Sequence, residues 1–188
     1  MSHLTGTELI NAFSLLEKVE LEAGNRVADL GCGALGHFVF PAAKLVGQRG
    51  VVFAVDIQRQ VLEQVDRLAK QDQIFNIKPV WADIEKFRAV AIQDGSLDMA
   101  LLINNLFLIK DLEQARKEMA RLTKADGRLI VVDWKTSDTP LGPPLNLRVS
   151  REKAKKIFSG QLFKFLQEFE PGQYHYGLIF ERTASPAV

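Results

Sequence analysis

The stretch "RVADLGCGALGHF", from Arg26 to Phe38, decides the fold. An apolar run ends in an acid, Asp29, and glycines follow it at Gly31, Gly33 and Gly36. Glycine permits a positive φ and lets the main chain approach a ligand, because no Cβ intervenes. A helix-like segment comes next, and the N-terminus of a helix offers free N–H groups. The pattern therefore predicts a strand, a ligand-binding turn and a helix in direct succession.

Outward from this turn, short apolar runs alternate with helical stretches. Strands are predicted at "RVADL", "VVFAVD", "IKPVWAD", "LDMALLIN", "GRLIVVDW", "LFKFLQEFE" and "YHYGLIFER". Helices are predicted over 5–19, 38–46, 58–71, 84–90 and 111–122, and in "SREKAKKIF". "PGQ" at 171–173 is expected to turn the last two strands into a hairpin. This order predicts an α/β fold: a doubly wound, seven-stranded, mostly parallel sheet with an antiparallel C-terminal edge hairpin.

Composition bounds the class of protein. The 188 residues carry a net charge of +1, which gives no electrostatic support for a nucleic-acid partner. The single cysteine, Cys32, excludes an intrachain disulfide and a multi-cysteine metal site, so no metal is expected. The N-terminus lacks a signal-peptide pattern, and no apolar run approaches the ~20 residues of a membrane span. We expect one cytoplasmic domain over 1–188, with an N-terminal helix in 1–20, a cofactor-binding core over 26–134, and a substrate-side loop, helix and hairpin over 135–188.

Two further acids end the next two strands. Asp56 ends "VVFAVD", where a carboxylate can accept hydrogen bonds from a ribose diol, and Asp83 ends "PVWAD". One acid at a strand end more often caps the following helix, but three of them beside a glycine turn indicate a ribose-bearing cofactor. Asp29 discriminates between cofactors, because a carboxylate repels a pyrophosphate and attracts a cationic amine or sulfonium. The order favours S-adenosylmethionine over NAD.

These motifs resemble those of class I S-adenosylmethionine-dependent methyltransferases, in the small-molecule (type 11) group that includes the ubiquinone/menaquinone-biosynthesis enzymes. "VADLGCGALG", "FAVDI" and "WADI" match the family's first motif, its ribose acid and its adenine acid. "DMALLINNLFLI" and "MARLTKADGRLIVVDW" match its fourth and fifth strand motifs. The glycine turn departs from the pattern, because many relatives place the last glycine where this chain has Leu35, one residue before Gly36.

The resemblance implies a Rossmann-like methyltransferase that uses S-adenosyl-L-methionine, releases S-adenosyl-L-homocysteine and methylates a small molecule. It implies that Asp29 lies near the cofactor's amino group, Asp56 binds the ribose hydroxyls and Asp83 meets the adenine amine. The other expected cofactor-binding residues are Gly31, Cys32, Gly33, Gly36, Ile57, Ile84 and Asn104.

Signals for the methyl acceptor are weaker. Asn105 stands where many relatives carry a histidine or an acid, and it can orient a substrate but cannot take its proton. His175 is the other catalytic candidate because histidine titrates near neutral pH, although a lone histidine in an edge hairpin is more often structural. Trp134, Arg148 and Tyr174 are expected near the acceptor. The alternatives without a role in binding are that Arg148 is solvent-exposed and that Tyr174 only packs against its neighbours.

The sequence leaves two alternative functions open. The chain could be a cofactor-binding domain without catalysis, or an NAD-dependent dehydrogenase, although no Tyr-x-x-x-Lys pair follows the strands. His37 could touch the cofactor or face solvent. Arsenite methyltransferases hold arsenic with several cysteines, so that substrate is not expected beside Cys32 alone. The sequence does not indicate an oligomeric state.

Overall fold

The structure is a computed structural model that describes residues 9–137, 139 and 141–184. Within these residues, the helices are α1 (Ala12–Lys18), α2 (Val39–Val46), α3 (Arg59–Gln71), α4 (Leu112–Leu122) and α5 (Arg151–Phe158). The strands are β1 (Arg26–Leu30), β2 (Val51–Asp56), β3 (Ile77–Trp81), β4 (Leu97–Ile103), β5 (Thr123–Trp134), β6 (Phe163–Gly172) and β7 (His175–Arg182). A short 3₁₀ turn spans Leu145–Leu147.

The strands form one seven-stranded sheet in the order β3-β2-β1-β4-β5-β7-β6. Strands β1 to β5 are parallel, and β7 runs antiparallel to both β5 and β6. Helices α1, α2 and α3 cover one face of the sheet, and α4 and α5 cover the other. The predicted doubly wound fold is confirmed. The strand order reverses between β1 and β4, which is where ligands bind in such sheets.

The sequence explains which strands are central and which lie at the edge. Strand β2 is buried along its whole length, as expected for an apolar strand between two helix layers. Strand β3 exposes Lys78 and Pro79, and an edge strand tolerates a proline because one side of it needs no ladder hydrogen bond. The carboxyl ends of the buried strands β1, β2 and β4 therefore meet at one edge of the sheet.

The first helix is shorter than predicted. It begins at Ala12, because the Asn11 side chain accepts a hydrogen bond from the Ser14 N–H at 3.0 Å and caps the helix there. Residues 5–8 of the predicted helix lie outside the described residues.

The predicted helix over 84–90 is wrong, because this segment consists of turns. The buried Glu118 carboxylate on α4 accepts hydrogen bonds from the Arg88 and Val90 N–H groups at 2.7 and 3.0 Å. Arg88 also has a positive φ of 64°. A distant acid therefore binds the N–H groups that a helix would have bonded to preceding carbonyls.

The C-terminal hairpin turns one step later than predicted. Strand β6 continues to Gly172 and β7 begins at His175, so Gln173 and Tyr174 form the turn. Tyr174 is consequently a turn residue and not part of the strand that carries Tyr176. The edge strand of the hairpin is β6, whereas β7 lies inside the sheet beside β5.

Candidate functional site

The glycine turn leaves β1 in a conformation that only glycine adopts freely. Gly31 and Gly33 have φ values of 84° and 66°. The Gly31 and Cys32 N–H groups both donate to the Val55 carbonyl, at 2.8 and 3.0 Å, and so tie the turn to β2. A Cβ on Gly33 would meet nothing within 4 Å, so this glycine borders open space. The turn is fixed on one side and open on the other.

Asn105 fastens the glycine turn to β4. Its Nδ2 donates to the carbonyls of Leu30, Gly31 and Ile103 at 3.2, 3.1 and 2.8 Å. A Cβ on Gly31 would lie only 2.5 Å from this nitrogen, so the glycine and the asparagine require each other. The N–H groups of Asn105 are therefore used by the main chain, and we assign the residue to the turn rather than to substrate orientation.

Two acids form a buried negative pair beside the turn. Asp29 and Asp56 are 3% and 8% exposed. Asp56 accepts hydrogen bonds from the Gly33 and Gln58 N–H groups at 3.2 and 2.9 Å. Burial, and to a smaller degree the charge of Asp56, raises the pKa of Asp29 to about 7. Within the described part of the chain no cation or donor contacts the Asp29 carboxylate, so the pair suits a cationic ligand.

Cys32 lies within the same turn but is chemically quiet. Burial raises the pKa of its thiol, and the charges of Asp29 and Asp56 raise it further. The thiolate is the reactive form of cysteine, so this side chain stays a protonated packing group. Its contact with a cofactor stays a prediction.

Asn104 is held in an unusual conformation directly after β4. Its φ is 57°, and its N–H donates to the Val132 carbonyl at 2.8 Å. Both amide atoms of the side chain are buried, and neither has a hydrogen-bond partner among residues 9–137, 139 and 141–184. Buried polar atoms nearly always have partners, so this orphaned amide at the end of β4 is a candidate ligand-binding group.

The exposed Ile57, which follows β2, contacts Trp81 at the end of β3. Ile57 follows Asp56 and is 56% exposed. Its carbonyl accepts a hydrogen bond from the Trp81 indole at 2.8 Å, and the Arg59 guanidinium lies 4.0 Å from the centre of the Trp81 ring. Sequence reasoning missed Trp81, although an aromatic residue two positions before Asp83 was a usable signal. The arrangement fixes the main chain beside the exposed Ile57 side chain.

Asp83 and Ile84 lie where the sequence predicted them, just beyond β3. The Asp83 carboxylate accepts a hydrogen bond from the Glu85 N–H at 3.0 Å and lies 3.5 Å from the Lys86 ammonium. Asp83 therefore caps a turn, as a single acid at a strand end commonly does. Its side chain stays partly exposed and keeps room for a further donor.

Trp134 and His175 meet where β5 ends and β7 begins. The two residues are paired across the strands, and their ring centres are 4.3 Å apart. His175 is 0% exposed, and neither of its ring nitrogens has a partner in the described residues. Burial, reinforced by the charges of Lys135 and Arg148, lowers the pKa of His175 to about 4, so the imidazole is neutral at pH 7.

Arg148 organises the loop between β5 and α5. Its five N–H donors reach five main-chain carbonyls, those of Lys135, Ser137, Thr139, Leu141 and Pro143, at 2.6 to 3.4 Å. Each N–H therefore has an acceptor, so none remains for an acidic substrate. The expectation that Arg148 pairs with substrate is corrected: the residue shapes the loop that packs Gly142 against the Trp134 ring.

Three further residues complete the edge. Tyr174 lies in the hairpin turn, where its carbonyl accepts a hydrogen bond from the Lys135 N–H at 2.9 Å. His37 bonds the Ile10 carbonyl through Nε2 at 2.9 Å and so ties the chain before α1 to the glycine turn. Asp133 was missed from sequence, although it too is an acid near a strand end. It accepts hydrogen bonds from the Leu106 and Trp134 N–H groups, and burial raises its pKa to about 6.

Comparison with known proteins decides the family. A family described as "Methyltransferase domain" matches residues 21–174, which include the glycine turn, both buried acids and Trp134. The chain belongs to the methyltransferase-domain family. This membership agrees with the resemblance seen in the sequence motifs.

Individual methyltransferases resemble the chain in sequence and in structure. The ubiquinone/menaquinone biosynthesis C-methyltransferase UbiE of Azotobacter vinelandii is 32% identical over 129 residues, which are 68% of this chain and 49% of that protein. The corresponding enzyme of Marinomonas is 31% identical over 64% of this chain and 47% of that protein. A SAM-dependent methyltransferase from Aquifex aeolicus superposes with a TM-score of 0.86 at 22% identity, covering 94% of this chain and 92% of that one.

The chain spans about half the length of the curated methyltransferases it matches. The Aquifex structure shares the fold over nearly the whole of both chains. In the part of this methyltransferase-family chain that the structure describes, no helix is both long enough and apolar enough to cross a membrane.

Proposed function

We propose that this protein transfers a methyl group from S-adenosyl-L-methionine to a small-molecule acceptor and releases S-adenosyl-L-homocysteine. The observation that carries the proposal is the buried Asp29–Asp56 pair, which has no cation against it in the described residues and borders the glycine turn. A dinucleotide would bring a pyrophosphate, whose negative charge such a pair repels. A cofactor with an ammonium and a sulfonium supplies the missing positive charge. No observation favours the NAD-dependent or the inactive alternative.

Each part of the cofactor has residues suited to it. Asp29 would receive the ammonium, Asp56 the ribose hydroxyls, and the orphaned Asn104 amide a polar group of the methionine portion. Ile57 would pack on the adenine, with the Asp83 carboxylate toward its amine. The remaining proposed contacts are Gly31, Cys32, Gly33, Gly36 and Ile84.

The protein's contribution to the reaction is mainly positioning. The bound cofactor supplies an electrophilic methyl group on a sulfonium. The Gly33 and Gln58 N–H groups hold the Asp56 carboxylate in one orientation, and Asn105 holds the glycine turn. Such preorganisation places two reactants in line, and it is a large share of catalysis when the acceptor is already nucleophilic. No general base is required of the chain for such an acceptor.

The rest of the chain is proposed to serve the acceptor. Residues 26–134 form the cofactor-binding core of a single methyltransferase domain, and the loop, α5 and hairpin that follow form its acceptor side, with Trp134, Tyr174 and His175 nearest to it. The net charge of +1 supports a small molecule over a nucleic acid. We also propose a cytoplasmic protein, since its one cysteine, Cys32, is buried and unpaired, as suits a reducing compartment.

Calorimetric titration with S-adenosylmethionine, S-adenosylhomocysteine and NAD tests the proposal. We expect the first two to bind and NAD not to bind. Asp56→Ala should abolish cofactor binding, whereas Asp66→Ala, on the exposed face of α3, is the matched control and should bind as the wild type does. Binding of NAD alone, or binding that survives Asp56→Ala, would refute the proposed cofactor site.

A further inference from the structure

His175 is a buried polar side chain that the fold leaves unsatisfied. A neutral imidazole has one donor and one acceptor nitrogen, and neither has a partner among the described residues. Other buried polar groups nearby are bonded: the Tyr176 hydroxyl, one residue further along β7, donates to the Val149 carbonyl at 2.8 Å. A buried polar group without a hydrogen-bond partner destabilises the folded state. Its presence therefore indicates a role other than stability.

The position of His175 aligns it with the cofactor site. Val27 and Ile179 pack in the core on the α1–α3 side of the sheet. Side chains two or four residues apart on a strand share a face, so Asp29 and His175 face this same side. Both lie at the edge formed by the carboxyl ends of the parallel strands. They are separated by three strand spacings, about 14 Å, and Trp134, the β5 partner of His175, lies on the same face between them.

The cations around His175 are engaged by other groups. Lys135 and Arg148 are the cations whose charge reaches His175. Lys135 pairs with Glu170 at 2.5 Å, and Arg148 gives every N–H to a carbonyl. Arg151, which begins α5, pairs with the same Glu170. This end of the site thus has hydrogen-bonding capacity, but its cations are committed to other partners.

We propose that His175 binds the methyl acceptor as a neutral hydrogen-bonding group, and that the acceptor presents an uncharged hydroxyl or carbonyl to it rather than a carboxylate or phosphate. The inference rests on the proposed methyltransferase function and names the class of its second substrate. The depressed pKa agrees with it, because an imidazole that stays neutral offers one donor and one acceptor and no charge. Trp134 fixes the ring from one side and limits how it can turn.

Histidine-selective ¹⁵N NMR tests this inference on the whole protein with S-adenosylhomocysteine bound. The chain has three histidines, and the signals lost in His175→Leu identify those of His175. The probes are phenol, benzyl alcohol and benzamide as uncharged ligands, with benzoate as the anionic match. We expect the uncharged probes to shift the His175 nitrogen signals and benzoate to leave them in place. An equal or larger shift with benzoate, or no shift with any probe, overturns the inference.

Two variants separate binding from structure. His175→Leu replaces the unsatisfied group with an apolar one, so we expect an unchanged or higher Tm together with at least tenfold weaker binding of the uncharged probes. Tyr176→Phe is the matched control on the opposite face of β7, and it should lower the Tm while leaving probe binding unchanged. A His175→Leu variant that binds the probes as tightly as the wild type contradicts the proposal.

Calorimetry keeps this inference distinguishable from the proposed function. Both variants should bind S-adenosylmethionine within twofold of the wild type, because His175 lies away from the glycine turn. A wild-type protein that fails to bind the cofactor refutes the methyltransferase function itself. A protein that binds the cofactor while its His175 stays silent refutes only the assignment of the acceptor site.

Discussion

Cofactor binding should expel a proton from Asp29. Burial and the neighbouring Asp56 raise the pKa of Asp29 to about 7, so at pH 6 about 0.9 of the molecules carry a proton on it. A cationic ligand against the carboxylate favours the charged form and lowers this pKa. Binding at pH 6 should therefore release close to one proton, about half a proton at pH 7, and little above pH 8.

The assay is calorimetric titration with S-adenosylmethionine at pH 6 in buffers of different ionisation enthalpy. The slope of observed enthalpy against buffer enthalpy gives the number of protons exchanged. An α-amino group has a pKa of about 7.7 to 8.0 and stays protonated at pH 6, so the ligand's own amine does not confuse the count. Affinity should also rise with pH between 6 and 7, because the protonated carboxyl must ionise first.

Asp29→Asn supplies the control, because an amide of nearly the same shape has no proton to lose in this range. Its slope should fall close to zero, while Asp133, whose pKa is about 6, stays in place in both proteins. A wild-type slope of zero, or the same slope in Asp29→Asn, would show that Asp29 does not meet the cationic end of the ligand.

The other predictions concern the turn, the loop and the pH dependence of folding. Gly31→Ala should lower the free energy of unfolding by about 2 kcal/mol or more and abolish cofactor binding, because its Cβ would collide with Asn105; Gly33→Ala, with open space around it, should cost only about 1 kcal/mol in denaturant titration. Arg148→Lys should cost about 2 kcal/mol and speed proteolysis of the loop without changing cofactor affinity, since one ammonium cannot reach five carbonyls; an unchanged cleavage rate would contradict the role given to Arg148. The folded-state pKa of His175 is about 4 against 6.5 in the unfolded chain, so its contribution to stability is present above pH 6.5 and is lost as pH falls toward 4, by at most about 3 kcal/mol. His175→Leu should flatten that part of the stability profile, and an unaltered acid limb would argue against a neutral buried imidazole.

Local pattern was sufficient to predict where the acids that follow the first strands lie. A strand followed by glycines predicts a turn, and an acid at a strand end lies at the sheet edge wherever the strand pairs. Asp29, Asp56 and Asn104 therefore lie at the predicted edge, and the structure adds that the first is uncompensated and the last unsatisfied. Their contacts with a cofactor remain predictions.

Other roles could not be predicted in the same way, because they depend on partners distant in sequence. Asn105 donates a hydrogen bond to the carbonyl of Leu30, 75 residues earlier, and nothing in "NNLF" indicates this bond. The carboxylate of Glu118, 28 residues beyond Val90, accepts the Val90 N–H, and the predicted helix over 84–90 does not form. The prediction for Arg148 relied on its positive charge, whereas in the fold its guanidinium donates hydrogen bonds to main-chain carbonyls. Side chains that bind main-chain groups carry no pairing signal in a single sequence.

The way Arg148 holds its loop has a consequence for how this site can change. Carbonyl oxygens belong to every residue type, so the guanidinium keeps its five acceptors whichever side chains stand between Lys135 and Arg148. Gly142 is constrained, because its φ is 83° and a Cβ there would strike the Trp134 ring. Substitutions at the other loop positions can alter the surface of the loop, which we propose faces the acceptor, while its backbone conformation persists. We therefore expect this loop to tolerate the most substitutions when a new acceptor is selected, in nature or in a library.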